Sequence, residues 1–151
     1  MSVRFAIKGD VPALVELGRE AHVESRYAWL SYSPERVWEQ IDKAIQRNDH
    51  CCLVAHDAKQ EPYGFLHGYT EEYFFARARA ARLEFLYILP KRRGGLDAMK
   101  MLAGFRQWAI KKEVVEIRID SAMGVETTRT DRLFKRLGFQ MVGGNYSRWI
   151  D

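Results

Sequence analysis

The feature that most constrains this chain is an apolar run, ARLEFLYIL at positions 81–89, that stops at Pro90 and passes through Lys91-Arg92-Arg93-Gly94-Gly95 into a stretch beginning at Leu96. A strand this apolar belongs in the middle of a sheet, covered on both faces. The stretch LDAMKMLAGFRQWAIKK, interrupted only by Gly104, reads as a helix buried on more than one face, and VVEIRID alternates as a strand. Strand, helix and strand from Leu83 to Asp120 then form a right-handed βαβ unit. A loop bared by glycine that feeds a helix N-terminus offers orphan N–H groups and the positive dipole end to phosphate. Three adjacent cations reinforce it. The turn has neither a Gly-Lys-Ser/Thr phosphate loop nor a G-x-G-x-x-G fingerprint, so a solvated basic turn capped by glycine stands as the alternative reading.

The remaining segments place this unit in a mixed α/β chain. VRFAIK alternates with period two and reads as a first strand with Val3, Phe5 and Ile7 on one buried face. A helix follows, with Asp10 at its N-cap and Val11, Leu14, Val15, Gly18 and His22 at helical spacing. Ser33 and Pro34 start a second helix whose apolar stripe is Val37, Ile41, Ala44 and Ile45. CCLVAHD and YGFLHGYTEEY, joined by DAKQEP, read as a hairpin. A last helix over about Thr128–Leu137 carries Thr130, Leu133, Phe134 and Leu137 on one stripe and is capped by Gly138. FQMVG and YSRWI read as two strands around Gly143-Gly144-Asn145, the exposed edge through which a homodimer can form.

Composition limits the class of protein. With 151 residues, 47% of them apolar and 29% charged, the chain is sized for one domain, residues 1–151, with a genuine core. No apolar run approaches the roughly 20 residues of a membrane span. The N-terminal MSVRFAIKGD lacks a signal-type apolar stretch, and the expected location is cytoplasmic. The two cysteines, Cys51 and Cys52, are adjacent on a strand and point to opposite faces, which excludes a disulfide framework. His50, Cys52 and His56 share a strand face by parity, but their spacing matches no zinc site, and no metal is expected. The net charge of +4 is concentrated in Arg77, Arg79, Arg82, Lys91, Arg92 and Arg93. With Tyr73, Phe74 and Phe75 nearby, that cluster keeps nucleic acid open as a second class of partner.

LYILPKRRGGLDAMKMLAGFRQWA, followed some thirty residues on by TDRLFKRLGFQMVGGNY, resembles the GNAT superfamily of N-acyltransferases, in particular its short phage-encoded members. Pro90, Arg93, Gly94, Gly95, Ala98, Gly138 and Phe139 fill the pattern. The resemblance implies a largely antiparallel, mixed central sheet of about seven strands with about four helices and one βαβ cofactor unit. It implies acetyl-CoA as acyl donor and direct attack by a small-molecule or peptide amine in a ternary complex. The pantetheine arm would lie along Leu86, Tyr87 and Ile88, where the strand splays from VVEIRID, with the N–H of Tyr87 or Ile88 polarising the thioester. The pyrophosphate would sit on Arg92, Arg93, Gly94, Gly95, Leu96 and Asp97. Ala98, Phe134 and Thr127 fall at further cofactor positions, although the Thr127 hydroxyl serves equally as a helix cap.

Two positions depart from the pattern. Leu96 stands where a second glycine is usual, and Phe134 where a tyrosine often acts as general acid. Tyr146 and Ser121 are the substitutes to test for that acid, against ordinary hydrogen-bonding roles for both. Glu84, isolated in an apolar strand, is the candidate general base, with burial expected to raise its pKa. A simple ion pair with Arg118 is the competing role. Phe134 also keeps open a non-catalytic acyl-CoA sensor. Tyr27, Trp29, Tyr32 and Trp38 can line an acceptor pocket or form a packing lid, and His22 and Glu24 precede them.

Overall fold

A computed structural model describes residues 2–120 and 127–150, apart from the side chain of Thr127. Five strands are present among these residues: β1 (Ser2–Phe5), β2 (His50–His56), β3 (Pro62–Tyr73), β4 (Ala76–Ile88) and β5 (Glu116–Ile119). They form one sheet in the order β1-β2-β3-β4-β5, antiparallel except for the parallel β4–β5 pair. Four helices accompany them: α1 (Val11–Glu24), α2 (Pro34–Gln46), α3 (Asp97–Lys111) and α4 (Thr127–Arg136). The βαβ unit is therefore β4-α3-β5, as the apolar run and its helix require.

Each face of the sheet carries its own core. On one, Leu14, Val15 and Ile41 of α1 and α2 pack on Cys52, Val54, Phe65 and Tyr87. On the other, Met101, Leu102 and Phe105 of α3 pack on Cys51, Leu53, Leu66 and Leu83, with Leu133, Phe134 and Leu137 closing over them. The adjacent cysteines thus enter opposite cores, and burial pushes both thiols up to about 12. That leaves them protonated and inert.

Local signals place the helix ends. The Ser33 hydroxyl accepts from the Arg36 amide at 3.3 Å, while Gly138, at φ +89°, ends α4 with the Phe139 amide donating back to Phe134. This is the αL cap that glycine makes without a Cβ penalty. Asp10 acts differently from the expected cap. Its carboxylate makes no cap bond to α1; it accepts from the Ile7 amide at 2.8 Å and takes the Arg4 guanidinium in two bonds. Burial opposes its charge, and the Arg4 hydrogen bonds still hold its pKa below the usual range.

Two expectations are corrected. The sheet has five strands among the described residues, not about seven: FQMVG and YSRWI join no ladder, and 140–150 is exposed throughout. Trp149 instead packs edge-on against Tyr27 and Trp29, with Arg26 over its ring. Aromatic contacts with the α1–α2 loop replace strand pairing, and the anticipated hairpin edge is not formed. The second correction concerns β1. Val3 packs on the α3-side core as expected, but Phe5, at the end of this edge strand, and Ile7, beyond it, lie 58% and 60% exposed, while Ala6 enters the opposite core. Among the described residues no helix is long and apolar enough to cross a membrane.

Candidate functional site

The site is created by what happens to β4 at Glu84. From Ala80 to Leu83 the strand pairs with both β3 and β5; the parallel register with β5 ends at Leu83–Ile119. On the β3 side, His67 opposes Phe85 and Gly68 opposes Leu83, which leaves Glu84 as the unpaired residue of a β-bulge. The extra residue reverses the alternation of faces. Leu83 lies in the α3-side core, whereas Phe85 and Tyr87 turn to the α1–α2 side. Gly68 permits this crossing, since a Cβ there would lie 2.4 Å from Phe105 and 2.7 Å from the Arg82 carbonyl oxygen.

Beyond the bulge β4 has β3 on one side and, among the described residues, no strand on the other. The Leu89 amide donates to the Tyr63 carbonyl at 3.0 Å. Alternation along the strand then turns the amides of Tyr87 toward β3 and those of Leu86 and Ile88 toward the gap. Of the two amides expected to polarise an acyl oxygen, this orientation leaves Ile88 and removes Tyr87.

A cavity of about 440 Å³ opens on that gap. Leu86, Tyr87, Ile88, Arg92, Arg93, Gly94, Gly95, Asp97, Ala98 and Phe134 all line it, together with Glu84; Leu96 does not, and lies 63% exposed. At the turn, Pro90–Arg92 forms a single 3₁₀ turn in which the Arg92 and Arg93 amides already donate to Leu89 and Pro90. The next amides differ. Leu96 caps α3 with no side-chain acceptor, and among the described residues no loop carbonyl accepts from the amides of Gly94 through Ala98. Gly94, at φ +95°, adopts the left-handed conformation this turn demands. These are helix-N-terminal donors of the kind that hold phosphate.

Arg93 is engaged elsewhere. Its Nε donates to the Ile88 carbonyl at 2.7 Å, and its terminal nitrogens donate to Glu24 at 3.0 and 2.9 Å, while Tyr87 donates its hydroxyl to Glu24 at 2.5 Å. Burial alone would raise the Glu24 pKa, yet the bonds from Arg93 and Tyr87 hold it below the usual range. The phenol, buried and facing that carboxylate, is pushed up and stays protonated. This tie anchors the end of β4 to the end of α1. Arg92 stacks over the Tyr63 ring at 4.7 Å. Positive charge at the mouth comes also from Arg129, Arg132 and Arg136 of α4, which line the same cavity. The sequence reading missed them, although their helical spacing was visible.

A second cavity, of about 500 Å³, lies between α1, α2 and the opposite face of the sheet. The two cavities share Glu84 and Phe85. Glu84 does not pair with Arg118, which approaches Glu71 at 3.6 Å. Its Oε2 lies 3.1 Å from Nδ1 of His67, whose Nε2 is 2.9 Å from Nδ1 of His50. The two imidazoles meet edge to edge in nearly one plane, with centroids 5.2 Å apart and planes 15° apart, and His50 Nε2 is 3.9 Å from Asp49. The hydrogen bond from His67 holds the Glu84 pKa below its usual value, overcoming burial, so the expected upward shift is reversed. His67 is a further residue that the sequence reading passed over; its pairing with Glu84 depends on the bulge.

Of the two candidate acids, the one among the described residues falls outside this arrangement. Tyr146 is 97% exposed and lines neither cavity. Ser121 lies outside the described residues, as does the side chain of Thr127. Phe134 lines the first cavity, packs on Phe139 and has no proton to give. Tyr32 and His22 line the second cavity, whereas Tyr27, Trp29 and Trp38 do not. Among the described residues no three His, Cys, Asp or Glu side chains are grouped so as to hold a metal.

No protein-family model matches the chain, and no curated protein matches it. Solved structures do. The chain is similar to the aminoglycoside 6'-N-acetyltransferase AAC(6')-Ig from Acinetobacter haemolyticus, with TM-score 0.76 and 18% identity over 100% of both chains. It is similar to AAC(6')-Iy in complex with a CoA-containing bisubstrate analogue, with TM-score 0.78 and 16% identity over 99% of this chain and 97% of that one. Glucosamine-6-phosphate N-acetyltransferase from Arabidopsis thaliana gives TM-score 0.76 and 14% identity over 99% of this chain and 98% of that one. The fold is GNAT-like. These neighbours are N-acetyltransferases; the phage-like part of the resemblance finds no counterpart among them.

Proposed function

We propose that this chain is a single-domain, acyl-CoA-dependent N-acetyltransferase that moves an acetyl group from acetyl-CoA to an amine by direct attack. The observation that carries the reading is the meeting of two cavities from opposite faces of the sheet at Glu84 and Phe85, where β4 has lost its parallel partner. A thioester reaching that point from one side meets an amine arriving from the other. The fold shared with N-acetyltransferases supports it.

In this reading the uncapped amides of Gly94 through Ala98 receive the pyrophosphate, with the α4 arginines adding charge. The pantetheine amides bond to the open edge of β4 at Leu86 and Ile88, as an added strand would. The Ile88 amide then faces the thioester oxygen. Arg93 serves as a positioning residue that ties the turn to α1. Glu84, held ionised, accepts the proton released as the amine nitrogen bonds to the acetyl carbon. The C–S bond breaks and coenzyme A leaves as a thiolate; with Phe134 at the acid position, water supplies its proton. A thiol with a pKa near 8.5 needs little help of that kind. His67 and His50 extend the hydrogen-bonded path from Glu84 toward Asp49 at the surface.

Calorimetric titration with acetyl-CoA and thiol release across an amine panel test the proposal. Micromolar binding and amine-dependent thiol release are expected. Indifference to millimolar coenzyme A overturns it. Binding without turnover on any amine would favour the acyl-CoA sensor, the role that Phe134 suits.

A further inference from the structure

From the lining of the second cavity we infer that the acceptor is a primary monoamine carried on an aromatic or branched apolar body, and not a polycation. The inference rests on the acetyltransferase reading and specifies the substrate class of the same site. The cavity, about 500 Å³, falls in the ~300–1,000 Å³ range of sites that enclose small organic ligands. Its apolar walls are Leu30, Tyr32, Val37, Ile41, Phe65 and Phe85, with the uncharged polar side chains of Ser31, Ser33 and Gln40 on the α2 side. Among the described residues that line it, Glu84 is the only carboxylate, and Arg36 of α2 is a lining cation.

Charge arithmetic decides the class. One ammonium can face Glu84; a second, on a diamine, polyamine or aminoglycoside, would sit against apolar walls or Arg36 with no carboxylate to meet it. A buried charge without a partner is strongly disfavoured. The groups facing Glu84 are His67, His50 and Arg82, none of which would attract a second cation. In this respect the chain diverges from neighbours such as the aminoglycoside acetyltransferase AAC(6')-Ig, whose name specifies a polycationic acceptor.

The walls are built rather than collapsed. The Tyr32 hydroxyl donates to the Val15 carbonyl at 2.6 Å, and Arg19 lies 5.0 Å above its ring. Gly18 makes room for this, since a Cβ there would lie 2.7 Å from the Tyr32 oxygen. Phe65 and Phe85 stack at 4.6 Å to form the floor. A preformed aromatic surface beside one carboxylate rewards an apolar body more than any second polar group.

The test compares kcat/KM at saturating acetyl-CoA for 2-phenylethylamine, pentylamine, cadaverine, spermidine and neamine. Phenylethylamine is expected to exceed cadaverine and neamine by about 100-fold, and pentylamine to exceed its diamine counterpart cadaverine by at least ~10-fold. Leu30→Glu, at a wall residue 43% exposed, places a second carboxylate at the cavity and is expected to shift the pentylamine-to-cadaverine ratio about tenfold toward the diamine. Equal or better use of spermidine or neamine, or an unshifted ratio in Leu30→Glu, overturns the inference. NMR titration of the CoA-bound protein with phenylethylamine gives a readout independent of turnover. Perturbed Phe65 and Phe85 resonances without any acetylation would uphold the cavity's selectivity while removing the enzyme reading. Acetylation without those perturbations would do the reverse.

Discussion

The two halves of β4 are built from similar residues and do opposite work. Ala80, Ala81 and Leu83 are held between β3 and β5 and are almost wholly buried. Past the bulge residue Glu84, Phe85, Leu86, Tyr87 and Ile88 keep β3 alone, and their free edge lines a cavity. The closed half shows what hydrogen-bond satisfaction on both sides yields, which is a strand with no free backbone edge to offer a ligand. The open half shows how one inserted residue and one short neighbour convert the same apolar pattern into a place for chemistry.

Removing the difference outright is the most severe test. Deleting Glu84 closes the bulge and removes the base together, while Leu83 stays opposite Gly68, Phe85 stays opposite His67, and Phe85 through Ile88 keep their faces. Thiol release should fall by more than about 1,000-fold while a cooperative thermal transition is retained. Glu84→Gln keeps the bulge and removes only the base; thiol release should fall about 100-fold with acetyl-CoA affinity unchanged, and unchanged turnover would take Glu84 out of the mechanism. In the closed half, Gly68→Ala drives a methyl into Phe105 and the Arg82 carbonyl. A cost of about 2 kcal/mol in chemical denaturation is expected.

Gly94→Ala probes the turn beyond the open half. The φ of +95° should cost about 1 kcal/mol in stability and weaken CoA binding several-fold by calorimetry. The mildest expected effect is electrostatic. In NMR titrations the Glu84 carboxyl should titrate below the ordinary glutamate value of about 4.3, because His67 favours its charged form; His67→Gln should bring it back upward. A depressed value means Glu84 is already ionised throughout neutral pH, so the acid limb of turnover should follow the amine and not this carboxylate. A limb that shifted with His67→Gln would blur the distinction drawn between the halves.

Much of this was legible from periodicity. The Ser33 cap, the Gly138 terminus, the β4-α3-β5 unit and the glycine turn all follow from local backbone preferences, which act within a few residues. The two cysteines pointing apart follow from the same period-two rule. What escaped was set by distant partners. Whether YSRWI pairs as a strand depends on competition between a sheet edge and the Tyr27–Trp29 surface, and aromatic packing took Trp149. Arg93 reads as a phosphate ligand until Glu24, from the end of α1, arrives beside it.

Glu84 marks the boundary most clearly. The sequence by itself determined that a lone carboxylate would sit in an apolar strand ahead of a basic, glycine-bearing turn. Only the tertiary structure decided that it stands on a bulge, faces His67 instead of Arg118 and joins two cavities. The reason is physical: side-chain alternation is a local property of one strand, but a bulge is defined by register against a second strand, and a pKa by whichever groups that register brings near.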